Sequence, residues 1–197
     1  MKKIGITGGI GSGKTTICRI FELLGIPVFY ADEAAKEVMS RDSILIDEIR
    51  TSFGKESYLS TGVLNRKHLA GIVFNDPDKL AQLNALVHPA VFRAFDLWAD
   101  RQDAEYVIKE AALLIESRSY LDCDYTILVT APTELRIERV VRRDKITAEE
   151  VMKRINRQLS DEEKEKICDF TVVNDEKKLL IPEVLRLHNI FLNKNKQ

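Results

Sequence analysis

The sequence predicts an α/β fold built on a parallel five-stranded sheet. Short apolar runs alternate with longer amphipathic segments, a glycine-rich stretch joins the first such pair, and no internal repeat or low-complexity linker interrupts the pattern. Parallel strands buried on both faces read as continuous apolar runs rather than alternating ones, which is the pattern found.

Residues 4–7 read as the first strand. Over residues 14–24, Ile17, Ile20, Phe21 and Leu24 fall on one helical stripe, and Gly25 and Pro27 end it. Residues 27–30 form a second strand, 106–109 a third, 125–130 a fourth and 170–173 a fifth. Helical patterns separate most of them, among them 133–144 and 182–192. One crossover is far longer than the rest: about 75 residues lie between Tyr30 and Tyr106, roughly twice the next longest, from residue 131 to 169. That stretch is helical in pattern and carries Phe53, Tyr58, Phe74, Phe92, Phe95 and Trp98, which read as core packing. It follows the carboxyl end of strand two, where α/β folds bind ligands.

A chain of 197 residues can bury roughly 70% of its unfolded surface without disulfides or metals. Hydrophobic residues at 45% and charged residues at 31% exclude a disordered chain. The three cysteines, Cys18, Cys123 and Cys168, form no CxxC pair, so they read as reduced thiols in a cytoplasmic protein. Thirty Lys+Arg against thirty-one Asp+Glu lower the weight of a nucleic-acid partner, while leaving room for a small anionic substrate. No apolar run reaches the ~18 residues of a membrane span. A monomer or weak homo-oligomer is expected.

The strongest signal is Gly8-Gly9-Ile10-Gly11-Ser12-Gly13-Lys14-Thr15, which satisfies G-x-x-x-x-G-K-[ST] between a strand and a helix. Glycines let backbone N–H groups curl around phosphate oxygens, and the helix amino end adds partial positive charge. Lys14 would reach the β- and γ-phosphates of a nucleotide such as ATP, with the Thr15 hydroxyl on Mg²⁺. A dinucleotide G-x-G-x-x-G starting at Gly9 and Gly11 fails, since Lys14 occupies the third position. The expected architecture is therefore a P-loop NTPase-type three-layer fold with a helical insertion and a helical lid. Its core comprises residues 1–31, 104–138 and 168–197, its insertion 32–103 and its lid 139–167.

Two acids follow strands. Asp32 either accepts the proton of an attacking hydroxyl or caps the helix expected at 33–39. Glu110 either completes a Mg²⁺ shell or is an ordinary strand-end acid. Residues 136–157 hold eight basic and four acidic side chains. There Ile137, Val140 and Val141 read as a buried stripe, with Arg139, Arg142 and Arg143 on another face. Arginine's planar fork suits triphosphate oxygens, and residues 145–147 can hinge a lid.

Taken together, these segments resemble the dephospho-CoA kinase family. The resemblance rests on the loop from Ile6 to Thr16, Asp32, Leu83-Asn84-Ala85-Leu86-Val87-His88-Pro89, Arg139 through Asp144, Thr147, Arg157-Gln158 and Asp169 through Asn174. It implies transfer of the ATP γ-phosphoryl group to the ribose 3′-hydroxyl of dephospho-CoA. It further implies Asp32 as general base, Lys14, Arg139 and Arg143 at the transferring group, and Gly9, Gly11, Ser12, Gly13, Lys14, Thr15, Thr16 and Arg139 around ATP. Asp32 and His88 would meet the acceptor, and Thr15 and Glu110 the Mg²⁺. His88-Pro89 can equally be a helix break and restart. The chain departs from the family at Tyr30 (an acid in relatives), Ala112 (proline), Asp175 (glycine) and Glu110 (aspartate). The same phosphoryl chemistry on another acceptor, as in nucleoside-monophosphate or shikimate kinases, is the nearest alternative. A switch GTPase or a transporter ATPase lacks support, because N-K-x-D and L-S-G-G-Q are absent.

Overall fold

The computed structural model describes residues 1–73 and 76–193, so Phe74 lies outside the described residues. The chain runs β1 (Lys2–Thr7), α1 (Lys14–Leu23), β2 (Val28–Tyr30), α2 (Ala31–Arg41), α3 (Ser43–Phe53), α4 (Arg66–Val73), α5 (Pro77–Ala99) and β3 (Tyr106–Glu110). It continues through β4 (Tyr125–Thr130), α6 (Thr133–Asp144), α7 (Ala148–Ile155), α8 (Asp161–Glu165), β5 (Phe170–Val173) and α9 (Leu180–Leu192). The chain divides into two compact units, Met1–Tyr30 with Gln102 onward, and Ala31–Arg101.

The first unit holds the five-stranded sheet in the order β2-β3-β1-β4-β5, every pair parallel. Alternation along β1 shows how both faces are filled. Ile4 and Ile6 are fully buried in a cluster with Ile17, Cys18 and Phe21 of α1 and Val184, Leu187 and Phe191 of α9. Gly5 faces the other way, where an added Cβ would stand 2.7 Å from Leu114 Cδ2 and 3.0 Å from Cys123 Sγ. Aromatic edges close the first face: Tyr106, Tyr125 and Phe170 all meet the Phe191 ring at 5.5–5.7 Å.

The second unit is helical. Asp42 caps α3 by accepting from Leu45 N at 3.0 Å, and the same carboxylate takes Arg93 Nη2 at 2.7 Å, tying α3 to α5. Buried Leu83, Val87, Ala90, Val91, Phe95 and Ala99 form the stripe along α5. Phe53, Tyr58 and Phe95 are core residues as expected, while Phe92 and Trp98 are half-buried.

Three expectations need correcting. α2 begins at Ala31, so Asp32 sits inside its first turn rather than at the cap; residue 31 follows Tyr30 with no loop in which a cap could stand. α5 passes through Pro89 without a break. Pro89 removes one N–H from a long helix whose buried stripe continues on both sides, and that packing outweighs a local cost of ~3 kcal/mol. In α6 it is Arg136, only 5% exposed, that joins Val140 in the interior, while Ile137 and Val141 are half-buried.

Candidate active site

The phosphate loop leaves β1 at Thr7 and enters α1 at Lys14. Gly13 ends it in a left-handed conformation, φ 96°, where a side chain would be strained and would collide with Asn174 Nδ2. Gly11, φ 78°, lies so close to α6 that a Cβ would stand 2.5 Å from the Arg136 carbonyl oxygen. Among the described residues no side chain caps α1, and its first turn carries no acidic residue. The first N–H groups of the helix are thus left to an anion, with the helix dipole in support. Lys14 folds back over the loop, donating from Nζ to the Gly8 carbonyl at 3.0 Å. Thr15 and Thr16 are exposed on the first turn, and Ser12 is fully buried.

Glu110 ends β3 between Ile6 of β1 and Tyr30 of β2. Its carboxylate lies 3.7 Å from Lys14 Nζ, both side chains being largely buried. Among the described residues no cluster of three or more His, Cys, Asp or Glu could cage a metal ion. The Glu110 carboxylate, beside Lys14, and the exposed Thr15 hydroxyl on the first turn of α1 are hard oxygen donors at the loop. Such a set fits Mg²⁺, which keeps waters and takes substrate phosphate oxygens instead of an all-protein cage. Below the loop, burial and the charges of Glu110 and Glu22 hold the Cys18 thiol far above its usual range, so it packs as an apolar group.

Side chains from the far half of the chain hold the loop from behind. Asn174 Nδ2 donates to the Ser12 carbonyl at 2.9 Å. Arg139 donates to the Gly11 carbonyl at 3.3 Å, to Asn174 O at 3.2 Å and to Asn174 Oδ1 at 3.3 Å. Its remaining edge meets Glu176 Oε1 at 2.9 Å. Asp175 accepts from Lys177 N at 3.0 Å and Lys178 N at 3.1 Å and so closes the turn with a side chain. Arg143 is directed elsewhere: it grips Asp144 with two donors at 2.7 and 3.1 Å, and Arg154 shares that carboxylate at 3.4 Å. Hydrogen bonds from Arg143 hold the Asp144 carboxyl below the usual range.

The segment after α6 turns at Lys145, φ 56°, and restarts at α7 under a capping box of Thr147 and Glu150. Further along, Glu116 anchors it, accepting from Leu159 N at 3.1 Å and facing the fully buried Lys164 Nζ at 3.3 Å.

Asp32 and His88 belong to the second unit. The Asp32 carboxylate is exposed in the first turn of α2 and has no hydrogen bond or ion pair among the described residues. The His88 ring is half-buried mid-way along α5 and stacks on Phe92, centroids 6.4 Å apart. Arg136, Gln158 and Asn174 touch the loop yet stood out in the sequence only as part of a basic run or a family resemblance. Nothing in their local pattern distinguishes a buttress from a surface polar residue.

The chain is similar to known proteins over most of its length. A family model described as dephospho-CoA kinase matches residues 2–179. A dephospho-CoA kinase of Bacteroides fragilis is 41% identical over 186 residues, covering 94% of this chain and 90% of that one. A solved Thermus thermophilus structure is similar with TM-score 0.80 and 32% identity, covering 100% of this chain and 98% of its own. The solved dephospho-CoA kinase of Campylobacter jejuni follows at TM-score 0.66 and 25% identity, with 95% of each chain covered.

Proposed function

The chain belongs to the dephospho-CoA kinase family, whose reaction is the ATP-dependent last step of coenzyme A biosynthesis, and we propose how its residues divide that work. The 3′-hydroxyl oxygen of dephospho-CoA attacks the γ-phosphorus of ATP. A new O–P bond forms, the bond from that phosphorus to the β–γ bridging oxygen breaks, and ADP leaves with the electron pair. Asp32 takes the hydroxyl proton. Supporting this role, its carboxylate is exposed, unengaged among the described residues and two residues past the carboxyl end of a parallel strand.

Gly9, Gly11, Ser12, Gly13, Lys14, Thr15 and Thr16 surround the triphosphate, and the ammonium of Lys14 follows the charge that spreads over the transferring group. Thr15 and Glu110 are the residues that would hold Mg²⁺, which when bound neutralises phosphate charge. Arg139 serves the phosphates from the lid, residues 139–167. Arg143 joins it by exchanging Asp144 for phosphate as the lid closes and excludes water. The helical unit 31–101 receives the acceptor, with the half-buried His88–Phe92 pair offering an aromatic surface. The free cysteines suit a reducing cytoplasm.

One observation carries the nucleotide half of this reading: an uncapped helix start with Lys14 folded over a loop braced from behind. The test is incubation with dephospho-CoA and MgATP. Mass spectrometry should find one added phosphate on the ribose, and ADP release should require the acceptor. ADP formed equally fast without dephospho-CoA, or faster with another alcohol, would count against it.

A further inference from the structure

Ile10, in the middle of the phosphate loop, is held at both backbone groups by side chains from the lid side of the molecule. Its N–H donates to Gln158 Oε1 at 2.9 Å, and its carbonyl accepts from Arg136 Nε at 3.0 Å. The same guanidinium reaches Asp161 Oδ2 through Nη1 at 3.2 Å. Asp161 is the first residue of α8, and Gln158 stands three residues before it, so both arms of the clamp converge on one short segment. A guanidinium only 5% exposed is retained where its donors are met, since an unpaired buried charge is costly. Gly9 completes the arrangement: a Cβ there would collide with the Arg136 guanidinium. The missing side chain at Gly9 therefore makes room for an arginine as well as for a ligand.

We propose that Arg136 is a positioning residue for nucleotide binding, coupling the shape of the loop at Ile10 to the docking of segment 158–161. While Asp161 holds the guanidinium, Ile10 is fixed and the loop keeps its phosphate-gripping curve before any ligand arrives. A preformed loop binds without the cost of ordering itself, so loosening it weakens ATP affinity more than it slows turnover. The inference rests on the nucleotide-site reading above and deepens it.

The experiment is calorimetric titration of MgATP into wild type, Arg136→Gln, Asp161→Asn, Asp161→Glu and the Arg136→Gln/Asp161→Asn double variant. Arg136→Gln should raise the Kd for ATP about tenfold and Asp161→Asn about fourfold, with Asp161→Glu restoring most of the loss. The double variant should bind no more weakly than Arg136→Gln alone, because the aspartate acts through the guanidinium. In the coupled assay the KM for ATP should follow the Kd while kcat stays within about twofold. Variants that melt earlier yet bind ATP like the wild type would show a purely structural role and overturn the proposal. So would a double variant in which the two losses simply add. Should Arg136→Gln fail to fold, Asp161→Asn, altered at a partly exposed partner, decides by itself. ATP titration reads the loop alone, so a failure to phosphorylate dephospho-CoA counts against the acceptor assignment and not against the clamp.

Discussion

After β1 the chain runs through residues 8–13 before α1 begins at Lys14, whereas after β2 it passes from Tyr30 into α2 at Ala31 with no loop at all. Both are strand-to-helix connections at the carboxyl end of a parallel sheet, but they are built for different work. The first is braced, with carbonyls at Gly8, Ile10, Gly11 and Ser12 each taken by a side chain. The second leaves the Asp32 carboxylate exposed and unengaged among the described residues. A group that shapes a phosphate pocket must be held in place before the ligand comes, while a group that accepts a proton must stay open to its donor.

The hardest blow to the second connection is Asp32→Asn, which keeps size and shape but cannot take the proton. It should lower kcat by about 10²–10⁴-fold while the Kd for ATP stays within about twofold, read by steady-state kinetics and titration. Unchanged kcat would erase the contrast. The hardest blow to the first is Gly13→Ala, which forces a Cβ into the left-handed region and against Asn174. Chemical denaturation should show a loss of about 1–3 kcal/mol, and ATP binding should fall with it. Asn174→Ala, which removes the donor to Ser12 and an acceptor for Arg139, should cost about 1–2 kcal/mol, with a raised KM for ATP and little change in kcat.

The smallest effect concerns pH. Burial pushes the Asp42 carboxyl up, but the Leu45 N–H and the Arg93 guanidinium outweigh it and leave it below the ordinary 3.8. A carboxyl depressed in the folded state contributes stability above its unfolded value, and that contribution is lost as pH falls through the folded one. Denaturation midpoints measured below about pH 4 should therefore drop less steeply for Asp42→Ala than for the wild type.

How far the sequence reached follows the range of each interaction. The strand–loop–helix opening was legible because glycine spacing, a lysine and an apolar stripe are all local, and the observed β4, β5 and α6 ran over the residues their periodicity marks. Boundaries set by neighbours were less so. β3 extends to Glu110 because Ile6 and Tyr30 pair with it from both sides, and α5 ignores Pro89 because its packed stripe continues. Arg136 was hidden for the same reason. Its place in a basic run predicts a solvated side chain, and only the approach of the loop and Asp161 makes it a buried one.

The amino-acid order alone determined that this chain would carry a phosphate loop on a parallel sheet, since that motif needs nothing beyond residues adjacent along the backbone. Which side chains brace the loop was decided by the fold. Ile10 and Gln158, or Ser12 and Asn174, lie far apart along the chain and meet only once the sheet and its helices have closed around them. Spacing in a sequence encodes local geometry, and partnership across such distances depends on the packing of the whole unit.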